Sequence, residues 1–219
     1  MDTLDIFPVN IFTFDWDGDL DDILERCIIN QKDLGGSFSA TESSDLSQSY
    51  PTALRLFPEL KEFIDDCLSQ VKDYYDLQCD GLKIASSWVN RYRNQGVLPW
   101  HLHPMSAFSG TFAVNDSGLL SFKDPVQFRM FESTMPLSNQ AKQYDVPTKP
   151  GQCIIFPWWM EHGALNLEPV DRWSISFNSM PYGKVNMGSI KPMQDNVPKD
   201  VLEQFPDVPN LSSARLEIK

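Results

Sequence analysis

Apolar residues recur along this chain at two different periods, and the change of period divides it. Behind Pro58, the residues Leu60, Phe63, Ile64, Cys67, Leu68, Val71 and Tyr75 return every three or four positions. That spacing predicts an amphipathic helix running to Leu77, packed on a sheet. A shorter run, Leu20, Ile23, Leu24 and Cys27, follows the acidic segment DGDLDD and predicts a brief helix after a solvated start. Ahead of it, residues 5–16 are rich in β-branched and aromatic types and predict a strand. Residues 34–51 are polar, rich in Gly and Ser, and predict a loop. From 82 to 178 the texture changes to short strand-like stretches, GLKIASSWVNRYRN, SAFSGTFAVN, LLSFKD, QYDVPT, CIIFP and RWSISFN, separated by Pro and Gly. Strands at such spacing favour a barrel or a two-sheet jelly roll. The expected organisation is one domain over 1–180 with its core at 82–180. Residues 181–219 then form an arm with one brief helical pattern near 199–205.

Composition narrows the function classes. The 219 residues are 42% hydrophobic and carry a formal net charge of −12. Sequence-independent nucleic-acid binding needs clustered Lys and Arg, and an anionic membrane surface repels acid, so neither partner is expected. The opening MDTLDIF lacks the basic, apolar character of a signal segment, and no run approaches the roughly 20 apolar residues of a membrane span. Cys27, Cys67, Cys79 and Cys153 form no CxxC pair, which points to free thiols in a reducing cytoplasm. The acidic DxDGDxDD stretch lacks the closing Glu of a calcium loop and has Leu20 among its acids.

The chain has three histidines, and all fall in two segments: WHLHP at 100–104 and FPWWMEHGALN at 156–166. On a strand His101 and His103 face the same way and can grip one ion. His162, distant in sequence, supplies a third ligand if the sheets of a jelly roll bring it over. Three protein ligands leave coordination positions open, as catalysis requires. The common non-haem iron set is two histidines and a carboxylate. Asp124 or Glu161 could replace an imidazole, although Glu161 would face away from its neighbour His162. An all-histidine set would also accept zinc, so the metal's identity stays open.

In DRWSISFN, Arg172 and Ser174 share one face of a strand while Trp173, Ile175 and Phe177 take the other. An arginine on an inward face is costly without an anion, and its planar fork suits a carboxylate, with the Ser174 hydroxyl as a second donor. The competing reading is an exposed Arg172 paired with Asp171. The short spacing from His162 to Arg172 predicts a turn and a return alongside. Asn90, Ser109 and Thr111 are polar strand positions that could line the same pocket. Trp158 and Trp159 would stand at its mouth, or simply pack in the core.

The strings HLHPMSAFSGTFAVN, KPGQCIIFPWWMEH and RWSISFN together resemble the 2-oxoglutarate/iron(II) oxygenase family found in phage and marine bacterial genomes, related to the prolyl hydroxylases. The likeness covers about residues 5–180, with its sharp motifs at 88–178. It implies a mainly β fold, a double-stranded β-helix (cupin-like jelly roll) with N-terminal helices on the major sheet. It implies iron(II) at His101, His103 and His162, and 2-oxoglutarate at Arg172 and Ser174, with Asn90 and Ser109 as further cosubstrate candidates. One position departs: where the family carries a second aromatic after Ser-Gly, this chain has Phe112 then Ala113, which makes the pocket roomier.

The leading expectation is a 2-oxoglutarate- and iron(II)-dependent dioxygenase acting as a hydroxylase, with O2 as co-reactant. Its substrate would be a peptidyl side chain or a small molecule, and a homodimer is expected. Two alternatives stand beside it. One is a three-histidine cupin-like metalloenzyme that does not use 2-oxoglutarate. The other is a non-catalytic metal-binding interaction protein of a phage, in which case the cytoplasm is the host's.

Overall fold

The computed structural model describes residues 9–35, 46–94, 96–115, 118–125, 143–166, 171–186 and 215–218. Contacts divide the chain into two units, Met1–Ile64 with Ile84–Ser179, and Asp65–Lys83 with Met180–Lys219.

The first unit contains the two sheets that build the site. In chain order the elements are β1 (Phe12–Asp15), α1 (Leu20–Ile29), α2 (Gln31–Leu34), β2 (Leu46–Gln48), α3 (Pro58–Tyr74) and β3 (Gly81–Tyr92). There follow β4 (Val97–His101), β5 (Phe108–Ala113), β6 (Leu119–Lys123), β7 (Gln143–Pro147), β8 (Gln152–Pro157), β9 (His162–Leu165), β10 (Arg172–Asn186) and β11 (Arg215–Ile218). The major sheet runs in the order β1-β8-β5-β10-β3-β2, and the minor sheet is β4-β9-β6-β7. The registered pairs are antiparallel. This is the mainly β jelly roll expected from the strand spacing.

β10 divides its apolar and polar residues between the two faces of the major sheet. On β10, Ile175 and Phe177 point away from the cleft with Phe112 of β5, and all three are buried. Arg172, Ser174 and Ser176 alternate with them and turn inward. Trp16 lies against Phe112 edge-on at 5.5 Å and against Phe63 of α3 at 6.4 Å. Between the sheets, Tyr92, Leu120, Phe122, Ile154, Phe156, Met160 and Ala164 form a second apolar cluster. CIIFP, apolar at every position, is β8, and it is buried on both faces.

Helix boundaries follow local chemistry. The Asp19 carboxylate accepts the Asp22 N–H at 3.0 Å and caps α1, with Asp21 and Asp22 favourably placed in its first turn. α3 ends at Tyr74, short of the expected Leu77. Asp76 takes a left-handed conformation (φ 48°), and the Leu77 N–H donates to the Lys72 carbonyl, a Schellman-type ending. That end of α3 lies in the second unit. There the Asp80 N–H also donates to the Tyr182 carbonyl, and β10 continues to Asn186 to pair with β11.

Four sequence expectations are revised. The N-terminal strand is confined to Phe12–Asp15 among the described residues, and residues 5–8 lie outside them. The polar stretch 34–51 contains β2, which pairs with β3, while 36–45 lie outside the described residues. β10 extends eight residues beyond Asn178, to Asn186. β4 and β9, too short to show a period, were not visible as strands of their own. The helical pattern near 199–205 lies outside the described residues. No described helix is long and apolar enough to cross a membrane.

Gly110 shows how tightly the major sheet is filled. A Cβ there would stand 2.4 Å from the Phe177 ring and 2.8 Å from the Ile154 carbonyl, because Phe177 lies across the glycine on the paired strand. Gly110→Ala is therefore expected to destabilise the protein by about 2 kcal/mol through overpacking, read from urea unfolding midpoints at constant slope. An unchanged midpoint would show that the ring can move aside.

Candidate metal and anion site

The minor sheet and the turn after β4 bring the three histidines together. His101 closes β4 and pairs with His162, the first residue of β9. His103 lies past the strand end, where the chain turns through Met105 at φ 69°. Its N–H donates to the Trp158 carbonyl at 3.3 Å, so a turn rather than the strand pleat aims the third ring. Ring centroids lie 4.3 to 5.0 Å apart, and one ligand atom from each histidine falls within 4.8 Å of the others. The Nε2 atoms of His103 and His162 are 3.2 Å apart.

Their hydrogen bonds fix which nitrogen faces the centre. His101 Nδ1 lies 2.8 Å from the Pro99 carbonyl, and His162 Nδ1 lies 2.9 Å from the Met160 carbonyl. A carbonyl only accepts, so Nδ1 carries the hydrogen and Nε2 keeps its lone pair. Burial pushes His103 down to about 4, with His101 adding to the shift. Burial also takes His162, 3% exposed, down to about 3; its bond to Met160 opposes the shift, and the other two rings add to it. Both rings are neutral at pH 7. Neutral imidazoles converging on one point fit a divalent cation. Glu161 is turned away and its carboxylate binds Lys123 at 2.7 Å, so no carboxylate joins this group among the described residues.

Arg172 reaches the same cleft from the major sheet. The chain does not turn back beside β9, as its spacing from His162 had implied. It crosses from the minor sheet to the major one. The side chain is 2% exposed, its guanidinium 5.0 Å from the centroid of the Tyr92 ring. Nη1 donates to the Leu165 carbonyl at 3.4 Å and Nη2 to the Thr148 hydroxyl at 3.3 Å. Thr148 is held in turn by Gly118, whose N–H donates to Oγ1 at 3.0 Å. A Cβ on Gly118 would lie 2.5 Å from Arg172 Nη1, so glycine is required for the guanidinium to lie there. Asp171, the alternative partner, pairs with Arg91 instead at 2.5 Å.

The cleft has a volume of about 420 Å³ counted with its open side, and all three histidines line it together with Arg172. Leu98, Leu120, Phe156 and Ala164 supply apolar walls; Gln48, Thr111 and Ser176 supply polar ones. Ser174 and Asn90 are buried behind that surface. Asn90 Nδ2 donates to Ser174 Oγ at 3.2 Å and to Ser176 Oγ at 2.9 Å, while Asn90 Oδ1 accepts from Gln48 Nε2 at 2.8 Å. Ser109 donates to Asn178 at 2.8 Å and to Ser106 at 3.3 Å. Trp158 and Trp159 are each 40% exposed, and the tryptophan that walls the cleft is Trp88, its ring 5.6 Å from that of His103.

Sequence reasoning missed Tyr92, Thr148 and Gly118. Tyr92 was legible: it follows Asn90 by two on the same strand and so shares its face. It supplies the aromatic surface that Ala113, buried opposite Ser174, does not. Burial raises the pKa of its phenol, with Arg172 and a hydrogen bond to Ser174 acting the other way. Thr148 and Gly118 carry no signal until β6 and β7 are paired.

Residues 86–178 match the sequence model of the family described as "Putative 2OG-Fe(II) oxygenase". Over that stretch the chain is similar to 2-oxoglutarate- and iron(II)-dependent oxygenases. No curated protein matches the chain by sequence. Among solved structures, the chain is similar to the α-ketoglutarate-dependent epimerase SnoN of nogalamycin biosynthesis (14% identity, TM-score 0.60, covering 81% of this chain and 79% of that one). It is also similar to a Pseudomonas putida prolyl-4-hydroxylase (12%, 0.55, 80% and 94%). HygX from Streptomyces hygroscopicus, with nickel and 2-oxoglutarate bound, is a third (14%, 0.53, 79% and 83%). At these identities the likeness is one of fold.

The lowered histidine pKa values set a pH dependence for the metal-free protein. The unfolded chain protonates these imidazoles near 6.5, whereas the folded one resists until about 4 and about 3. The unfolded state therefore binds more protons below pH 6.5, and stability is lost as pH falls through that window. Urea midpoints between pH 7 and 5 should decline, and His103→Gln should reduce the slope. A slope unaffected by that change would mean His103 does not contribute.

Proposed function

We propose that His101, His103 and His162 hold the iron(II) of this oxygenase and that Arg172 anchors the distal carboxylate of 2-oxoglutarate. The observation that supports this most is that three imidazoles and one buried guanidinium line a single cleft. When bound, iron(II), 2-oxoglutarate and O2 supply the oxidation that turns a substrate C–H into C–OH, with succinate and CO2 as co-products. The protein's residues bind and orient. Arg172 donates two hydrogen bonds to a carboxylate, and Tyr92 and Thr148 hold the guanidinium in line for it. Ser174 and Asn90 act from behind, Ser174 by bonding Tyr92 and Asn90 by fixing Ser176, while Ser109 braces Asn178 at the far end of the same polar stripe. Leu98, Leu120, Phe156 and Ala164 keep water from the carboxylate side. Gln48, Thr111 and Ser176 remain to meet the substrate, which in this reading is a peptidyl side chain or a small molecule. The fold shared with a prolyl-4-hydroxylase supports the first, and the structure of HygX with hygromycin B bound supports the second. In the same reading residues 1–180 are the catalytic domain and 181–219 an arm through which two copies pair. A reducing cytoplasm suits the four free cysteines.

Anaerobic titration of the iron(II)-loaded protein with 2-oxoglutarate tests the assignment. A visible metal-to-ligand charge-transfer band should appear and saturate. Arg172→Ala should weaken 2-oxoglutarate binding by about 100-fold, the loss expected for a buried charge-assisted pair. Gly118→Ala should weaken it in the same direction by displacing the guanidinium. Iron binding without the band would favour a three-histidine enzyme that takes its substrate directly; a band indifferent to Arg172→Ala would move the anchor elsewhere.

A further inference from the structure

The outer face of the minor sheet carries a cluster that the cleft does not use. Lys123 is the last residue of β6, one position after Phe122, which pairs with His162. Its backbone N–H extends that ladder and donates to the Glu161 carbonyl at 2.9 Å. Its ammonium binds the Glu161 carboxylate at 2.7 Å and lies 4.6 Å from the centroid of the Trp100 ring. Trp100 and Glu161 each come immediately before a histidine of the centre, His101 and His162 respectively. Neighbouring residues of an extended chain face opposite ways. One ammonium therefore holds the reverse side of both segments whose forward sides carry those two rings.

The backbone alone leaves this junction weakly specified. The β4–β9 register shifts between Leu98 and His101, and β4 ends at His101. A single registered pair, His101 with His162, remains where the rings must meet. The ammonium, shared between a carboxylate on one segment and an indole on the other, supplies the lateral tie that the interrupted ladder lacks.

We propose that Lys123 is a positioning residue for the histidine centre, setting the spacing of His101 and His162 by clamping Trp100 and Glu161. The inference rests on the metal assignment made above. It also makes a prediction opposite in sign to simple electrostatics. A nearby ammonium repels a divalent cation, so removing the charge alone would tighten metal binding, whereas removing the clamp loosens it.

The test is cobalt(II) affinity of the full chain, read from ligand-field absorption, with thermal midpoints of each metal-free variant alongside. Lys123→Met should raise the dissociation constant about tenfold, the low end for residues that orient metal ligands. Lys123→Arg keeps both the ion pair and the ring contact and should stay within about twofold of the unaltered protein. Trp100→Leu changes no charge and should weaken binding in the same direction as Lys123→Met. Equal or tighter binding by Lys123→Met overturns the proposal, as does a lowered thermal midpoint with cobalt affinity unchanged. Failure of the unaltered protein to bind cobalt would instead overturn the metal assignment, and the clamp with it.

Discussion

The burial of one guanidinium constrains more of this structure than any other interaction. A charge removed from water must be solvated by the protein. Around Arg172 that requirement fixes an aromatic ring on β3, a carbonyl at the end of β9, a hydroxyl after β7 and a glycine before β6. Four connections converge on one side chain. A ring face and uncharged oxygens hold the guanidinium in place, and on the proposed reading the cost of desolvating it is met during folding rather than on binding.

The histidine centre follows the same logic with opposite charge. Burial keeps the His103 and His162 rings neutral, and backbone carbonyls at His101 and His162 select the tautomer that turns Nε2 inward. Phe156 packs 4.4 Å from His162 by ring centroids, which restricts the tilt of that ring. The cleft thus offers lone pairs on its minor-sheet wall and N–H donors on its major-sheet wall. On the proposed reading, a keto acid that ligates at one end and carries a carboxylate at the other is complementary to both.

Much of this was legible in the sequence, for reasons that can be named. RWSISFN carries its chemistry in a two-residue alternation, which a strand converts directly into shared faces, and WHLHP sets two of the three histidines close together in the chain. α1 and the body of α3 were visible through their apolar spacing, and the cap at Asp19 through the acids that precede Leu20. What stayed hidden depended on pairing between distant segments. β4 and β9 are too short to show a period, and β2 lies in a stretch whose composition reads as loop. The turn that aims His103 leaves no pattern beyond the residues themselves. Thr148 ended the strand candidate QYDVPT with nothing to mark its role, and only the ladder between β6 and β7 brings it to Arg172.

The alternation on β10 has one more consequence. Its apolar residues build the outer layer of the major sheet, and its polar ones build the cleft. A slip of one residue would push Trp173, Ile175 and Phe177 into the cleft and strand Arg172 among apolar side chains. Burial of the core and placement of Arg172 are therefore coupled through one register. On the proposed reading, loss of the carboxylate site through misregistered pairing would register as loss of folded protein.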